Sequence, residues 1–352
     1  MTMTETREGS LAPVRAAIPA SCYRRSTARG LAYVTRDLAA YGLVLLALAR
    51  AQAWWHVVGL ELLAGLVVGA LFILGHDASH RALFDRDRLN GVVARLLMLP
   101  ALHVQEAWAL GHNRIHHGFT GRQGLDFVWH PQTAADYEAM SRWRRARHRL
   151  EWSAAGAGGY YLREVWWNKM VTFRPPPARA RAIHRDWLLV AGWASVVTVA
   201  SLWLGWATSG GITAAAWMWL KLVVLPFLVF TQVIGWAVYV HHVGPDIPWW
   251  TRAEWTRLRA QTVSTTILRM PRILNVFFHN IFIHVPHHVD ARIPWYRLPE
   301  AAAAIEQAAP HTIVDRHLHV GDYLDSARRC KLYDFETRTW LTYVEAGAGP
   351  RA

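Results

Sequence analysis

Thiol chemistry is nearly absent from this chain. Its 352 residues include two cysteines, Cys22 and Cys330, far apart in sequence. That excludes a disulfide framework, a Cys-rich zinc motif and an iron–sulfur cluster, and it fits a reducing, cytosol-facing setting. Acid is scarce as well: 25 Asp+Glu stand against 38 Lys+Arg, a formal net charge of +13. A basic soluble protein would suggest nucleic acid. The hydrophobic content of 53% and the 20 tryptophans point instead to a bilayer, where the indole ring is apolar and its N–H stays wet. Nucleic acid is therefore not an expected partner. A secretory signal is missing too. MTMTETREGSLAPVRAAIPA has no basic n-region followed by an apolar core, and residues 1–30 read as a mobile polar tail.

Charge disappears altogether over WLLVAGWASVVTVASLWLGW, Trp187–Trp206, which is 20 residues long and enough to cross a bilayer as a helix. After a Ser-Gly-Gly turn, Ala214–Val240 follows with Lys221 as its one charge, placed to snorkel or to line a cavity. An earlier apolar block, Leu38–Gly75, is split near its middle by RAQAWWH. The spacing predicts four spans, at about 36–54, 57–76, 187–206 and 214–240, within one membrane domain covering 31–352. Leu89–Leu102 is too short to span and carries Arg95 and Pro100, so it reads as re-entrant or interfacial. The Lys/Arg excess in Ser141–Arg185 and in the N-terminal segment places both on the cytosolic face of a bacterial-type inner membrane. With four spans, both termini and every clustered histidine then fall on that face.

The histidines are what the chain has in excess. Of 19, most of the clustered ones fall into three groups: His76 and His80 in GHDASH, His112, His116 and His117 in GHNRIHH, and His284, His287 and His288 in HVPHH. His241 and His242 close the fourth span, and His279 precedes the third group. An i, i+4 pair on a helix presents two imidazoles on one face, ready to share a metal ion. On that geometry His112 pairs with His116, while His117 points about 100° around the helix toward a second ion. One HxxxH is a weak signal; three groups at the ends of spans are a strong one. Isolated histidines such as His56, His148, His184, His311, His317 and His319 need no functional reading. Imidazole suits iron, zinc and copper. At least eight nitrogens divide naturally between two ions, and Asp77 is the only acid inside a group, unlike the carboxylate-bridged pattern of a di-zinc hydrolase. The pattern therefore reads as an all-nitrogen di-iron centre at the membrane surface.

These boxes, of the form HxxxH, HxxxHH and HxxHH with spans between, resemble those of the membrane fatty acid desaturase superfamily. GHNRIHHGFTGRQGLDFVWHP and FHNIFIHVPHHVDARIPWYRLPEA are closest to acyl-lipid desaturases of delta-12 (omega-6) type, and the likeness covers roughly Leu71–Glu300. The resemblance implies an all-α integral membrane fold, with four spans carrying a cytosolic helical cap over two irons. It implies a further ligand from the fourth span, which aligns best with His242 and leaves His241 as the alternative. The metal-ligand set is then His76, His80, His112, His116, His117, His242, His284, His287 and His288. Asp77, Asn113, His279 and Asn280 are placed to orient ring N–H groups, and His279 could itself be a ligand.

An unactivated methylene has no acidic proton, so acid–base groups cannot strip its hydrogens; a di-iron site using O2 as co-substrate can. Desaturation of a long acyl chain, as acyl-lipid or acyl thioester, is the leading expectation. The same site supports hydroxylation, ketolation or acetylenic bond formation, since substrate placement decides the outcome. A membrane metal transporter or sensor is the reading from another class, but transport needs ionisable groups inside the spans, which offer only Glu61 and Lys221. No HPGG motif marks a fused cytochrome-b5 domain, so the electron donor is expected to be a separate acidic protein such as ferredoxin. The basic run Arg142–Arg149 is its expected landing site, or else an anchor on anionic lipid. Tyr160–Phe173 is expected to wall the acyl tunnel, through Trp166 and Trp167, or to lie flat at the interface.

Overall fold

The chain is helical, as its long apolar runs require. The computed structural model describes residues 9–309 and 314–347. In chain order the helices are α1 (Ala12–Ala17), α2 (Thr27–Arg50), α3 (Trp54–Ser79), α4 (Asp87–Met98), α5 (105–119), α6 (Ala134–Glu138), α7 (Arg142–Glu151), α8 (157–171), α9 (Pro177–Ser209), α10 (Ile212–His242), α11 (Arg257–Val263), α12 (Arg272–Phe278), α13 (His284–Val289), α14 (Leu298–Ala308) and α15 (Val320–Arg329). Two small sheets complete the cap. In the first, β1 (Thr266–Arg269) runs parallel to β2 (Val314–His317); in the second, β3 (Leu332–Asp334) runs antiparallel to β4 (Thr339–Leu341).

Four helices, α2, α3, α9 and α10, are long and apolar enough to cross a membrane. The protein is an integral membrane protein. A helix apolar on every side is covered by protein or by lipid, and α3 is covered by protein, at the centre of the stem against α2, α4 and α10. Its side chains are buried almost continuously from Ala64 to Ala78. By contrast α9 keeps only Ile183, Asp186, Ser201 and Gly205 covered and turns Val196, Val199 and Trp203 outward, as a lipid-facing helix does. Its 33 residues span about 50 Å, well beyond a bilayer core of about 30 Å, so one end stands in the cap. There Asp186 accepts from Arg95 Nε at 2.9 Å, and Arg95 Nη2 donates to Glu106 at 2.7 Å, tying α9, α4 and α5 together.

Without a hydrophobic drive in lipid, spans approach through small residues. At Gly65 a Cβ would lie 2.3 Å from Val229 Cγ1, and at Gly235 it would lie 2.4 Å from the Ala157 carbonyl oxygen. Those two contacts set α10 against α3 and against α8.

Lys221 neither snorkels nor lines a cavity. Its ammonium turns inward and donates to the Leu48 and Ala51 carbonyls at 3.0 and 3.1 Å, capping the end of α2. The segment 87–102 does not span: α4 buries Val93, Ala94, Leu97 and Met98 on one face and exposes Val92 and Leu96 on the other.

The N-terminal segment departs from the polar tail expected over 1–30. From Gly9 onward it is folded: Leu11, Val14, Ile18 and Cys22 are buried against Val289, Leu298, Ala301 and Ile305. Their recurrence every three or four residues is a helix signal that the polar composition around them concealed. Residues 1–8, and His311 with its neighbours 310–313, lie outside the described residues.

Candidate metal centre

The histidines converge where α3, α5, α10 and α13 meet. His76 sits in the last turn of α3 and His80 caps it. α5 does not wind as an ordinary α-helix: over Leu110–His116 it is a π-helix, and the His117 N–H donates to the His112 carbonyl five residues back. The wider turn stacks residues five apart rather than four. His117 therefore turns the same way as His112, and His116 is the one that points elsewhere. This reverses the pairing expected from α-helical spacing.

Two groups result. His76, His80, His112, His117 and His287 place one ring nitrogen each within 4.8 Å of one another; His116, His242 and His288 do the same in a second group. His242, from the end of α10, joins the second group, whereas His241 stacks on His284 with ring centroids 4.0 Å apart. His284 belongs to neither tight group but adjoins the second, with its ring 4.6 Å from His288 and 5.3 Å from His242.

The donor set fits metal ions. Nε2 of His112 lies 3.0 Å from Nε2 of His76 and 3.1 Å from Nε2 of His117. Two nitrogens bound at right angles to one ion, about 2.1 Å from it, stand about 3.0 Å apart. Among the described residues His80 Nε2, His288 Nε2 and both nitrogens of His287 are buried without any hydrogen-bond partner. Orphaned polar atoms at this density would be costly in a folded core. Burial first, then mutual repulsion, holds His80, His112, His117, His284, His287 and His288 well below the ordinary histidine range. They are neutral, with lone pairs free for a cation.

The opposite ring nitrogens are fixed by acceptors, which dictates the tautomer. His116 Nδ1 meets Asp126 Oδ1 at 3.0 Å, His242 Nδ1 the Ser264 carbonyl at 3.1 Å, His284 Nδ1 the Ile281 carbonyl at 3.0 Å, and His288 Nδ1 Gln261 Oε1 at 2.8 Å. In the first group His76 Nδ1 lies 3.2 Å from Asp77 Oδ1, whose other oxygen accepts the Trp295 N–H at 2.9 Å. Each acceptor leaves Nε2 as the lone pair directed at the centre. Asp77 thus stands against the outer nitrogen of His76. Asn113 instead donates to the Ser79 carbonyl at 3.1 Å and steadies the end of α3. His279 stands outside both groups, with Nε2 at 2.8 Å from Asp37 of α2. It and Asn280 adopt left-handed backbone angles, φ 44° and 55°, and shape the turn before α13. Asp126, Gln261 and Asp37 were not singled out in the sequence. Asp126 lies inside a quoted motif, ten residues beyond His116, but no spacing rule connects the two.

The fatty acid desaturase family model matches residues 52–318. The chain belongs to this family. Its relatives include the sn-1 acyl-lipid omega-3 desaturase (ferredoxin) of Nostoc sp. (strain 36), 28% identical over 298 residues, 84% of this chain and 80% of that protein. The chloroplastic omega-3 fatty acid desaturase of Brassica napus is 31% identical, covering 84% of this chain and 72% of that one. The sn-1 oleoyl-lipid 12-desaturase of Arthrospira platensis is 26% identical over 252 residues, 70% of this chain and 67% of its own. The protein is therefore an oxidoreductase of the membrane desaturase superfamily, with delta-12 type proteins among its relatives.

Directly beside the histidines this desaturase keeps a mostly apolar cavity. His76 and His112 from one group and His116 and His242 from the other line it, together with Phe72, Trp108, Val165, Ile234 and Ala237. Trp108 stacks on His112 at 4.3 Å and fixes its ring. The expected tunnel segment does supply a wall, but through Tyr161, Val165, Lys169 and Met170. Trp166 and Trp167 stand off it. The Trp166 indole donates to the Leu102 carbonyl at 2.8 Å and packs on Phe227, while Trp167 is half exposed. The lining face runs through Tyr161, Val165 and Lys169 at intervals of four, which leaves Trp166 and Trp167 to the side.

Two measurements test this description. Asp126→Ala is expected to weaken iron binding about 10–100-fold, because His116 loses the partner that fixes its tautomer; competition with a chelator reads the affinity. Unchanged affinity would remove Asp126 from that role. Gly235→Val is expected to destabilise the desaturase by about 1–3 kcal/mol, since α8 must move off α10. Thermal unfolding in detergent would show it as a lowered midpoint, and an unchanged midpoint would mean the contact yields freely.

Proposed function

We propose that this protein is an O2-dependent, di-iron desaturase of long acyl chains carried on lipid, placed in a bacterial-type inner membrane with its cap and both termini in the cytosol. Two sets of neutral imidazoles with unpartnered nitrogens, facing one apolar cavity, carry the reading. His76, His80, His112, His117 and His287 would hold one iron; His116, His242, His288 and His284 would hold the other. When bound and reduced, the iron pair supplies the oxidant for the balance –CH2–CH2– + O2 + 2 e⁻ + 2 H⁺ → –CH=CH– + 2 H2O.

What the chain itself contributes is position and dryness. The cavity walls fix one methylene pair beside the histidines, and orientation of this kind is worth several kcal/mol of barrier. Phe72, Trp108, Val165 and Ile234 keep water from the reacting carbons, while the placement of the methylene pair decides between loss of a second hydrogen and return of a hydroxyl. Asp77, Asp126, Gln261 and the Ser264 carbonyl hold the rings in the tautomer that leaves Nε2 free. The donor is a separate ferredoxin-type protein, in keeping with the names of two relatives. Residues 31–352 act as a single membrane domain in this reading.

Mass spectrometry of lipids from cells expressing the protein is the test. The expected result is a new double bond at one position, requiring O2 and a reductant. Hydroxylated lipid with no new alkene would move the protein to another activity of the superfamily.

A further inference from the structure

Solvent does not reach the two histidine groups equally. His116, His242 and His288 are all buried, whereas His80, His112 and His117 of the first group are partly exposed. His80 lies at an open hollow whose other lining residues are Tyr23, Arg25, Arg81, Asp87 and Arg292. The hollow is basic even after its ion pairs are counted. Asp87 is shared by Arg81 at 3.2 Å and Arg25 at 3.7 Å; Asp290, beside it, is shared by Arg292 at 2.6 Å and Arg15 at 3.8 Å. Four guanidiniums thus meet two carboxylates. The Arg81 and Arg292 side chains remain 70% and 72% exposed, so each can meet a partner while still paired with its carboxylate.

On the basic helix α7, expected as the landing site, Arg142 and Arg144 are exposed while other arginines are engaged. Arg145 donates to the Met140 and Glu138 carbonyls, Arg149 to the Tyr137 hydroxyl, and Arg147 lies 3.7 Å from Glu151. The cavity it borders contains no histidine of either group and touches the centre only through Asp126.

We propose that the Arg25–Arg81–Arg292 hollow is the docking surface for a small acidic iron–sulfur electron carrier, with its cluster facing His80. The proposal rests on the desaturase reading above. Each docking oxidises the carrier's cluster by one electron and reduces the centre by one through the first histidine group. Two dockings supply the two electrons of a turnover. Opposite charge steers such encounters and is screened by salt beyond about 10 Å at 0.1 M.

Binding of a plant-type [2Fe–2S] ferredoxin to the iron-loaded full chain, held in nanodiscs of uncharged phosphatidylcholine, tests the surface. Arg81→Glu with Arg292→Glu is expected to weaken the Kd by at least about tenfold at low salt, with parent and variant converging near 0.5 M as screening grows. Arg81→Gln with Arg292→Gln should fall between them, and iron content should stay at the parent value in both. Arg144→Glu with Arg145→Glu should leave the Kd near that of the parent. An unchanged Kd in the Arg81/Arg292 pairs, a loss confined to the Arg144/Arg145 pair, or no binding by the parent would each overturn the proposal. Turnover with photoreduced lumiflavin needs no docking, so it reports on the desaturase reading separately. A failed docking surface leaves that turnover intact, whereas a failed reading removes it.

Discussion

Replacing His287 by Ala is expected to leave the purified protein with about one iron per chain instead of two, and to abolish lipid desaturation. His287 is buried, and neither ring nitrogen has a partner within the described residues. Its ring lies 4.5 Å from His76, 4.8 Å from His117 and 5.0 Å from His80, so it closes the first group from the side of α13. Outer partners of metal-bound histidines cost about 10–100-fold in affinity when removed; a direct ligand should cost more. His288→Ala should instead release the second ion, because its ring faces His116 and His242 at 5.0 Å each. The pair of variants makes the division into two groups testable ion by ion. Both should still insert into the membrane, since the spans are untouched. Iron removal from the parent should lower the thermal midpoint, as binding to the folded state alone stabilises it. A single zinc per chain, with turnover surviving iron chelation, would sink the two-iron proposal. Full activity in either variant would strike that residue from the ligand set.

The sequence made the spans and the histidine groups legible because both depend on local pattern. Uncharged runs of 20 residues announce a span, and HxxxH spacing announces a shared face. What it concealed depends on backbone winding or on long-range contact. The π-helix in α5 exchanged the roles of His116 and His117, and nothing in GHNRIHH distinguishes a π-turn from an α-turn. In α8 the cavity wall runs through Tyr161, Val165 and Lys169, and which face of that helix meets the cavity is set by packing that the sequence does not show. Asp37 meets His279 from 242 residues away, and the Trp295 N–H meets Asp77 from 218 away, distances at which spacing carries no information. Leu11, Val14, Ile18 and Cys22 recur at helical spacing, but Pro13 and Pro19 and the short apolar side chains around them blur the pattern. That His242 rather than His241 groups with His116 and His288 depends on where α10 ends against α13, since both residues occupy the same last turn.

Filling the cavity at Val165 is expected to change which carbons react, whereas emptying space at Trp167 is not. Val165 lies on the cavity wall with Tyr161, and both are buried. Behind the lining residues Phe72 and Tyr161 stand His103 and Phe230 in one ring cluster, with Phe72 4.8 Å from His103 and 5.4 Å from Phe230. The Tyr161 hydroxyl is pinned 2.8 Å from His103 Nε2, and burial pushes His103 down to about 4, so that ring stays neutral at the pH of the cell. An acyl chain held between these walls has its reacting carbons set by how far the walls let it slide past the histidines. Val165→Trp adds bulk to one wall and should displace the chain by a methylene or more. A methylene misplaced in an apolar pocket costs about 1–3 kcal/mol, a 10–200-fold effect on relative rates. The product profile should therefore shift toward a different double-bond position or shorter chains, measured per iron by mass spectrometry of derivatised lipids. Trp167→Ala removes a half-exposed indole outside the cavity and should lower total turnover at most, through weaker seating at the interface. Trp166→Ala removes the bond to Leu102, next to His103, and should act on stability before it acts on position. A shifted double bond in Trp167→Ala with an unchanged one in Val165→Trp would place the acyl chain on the other face of α8.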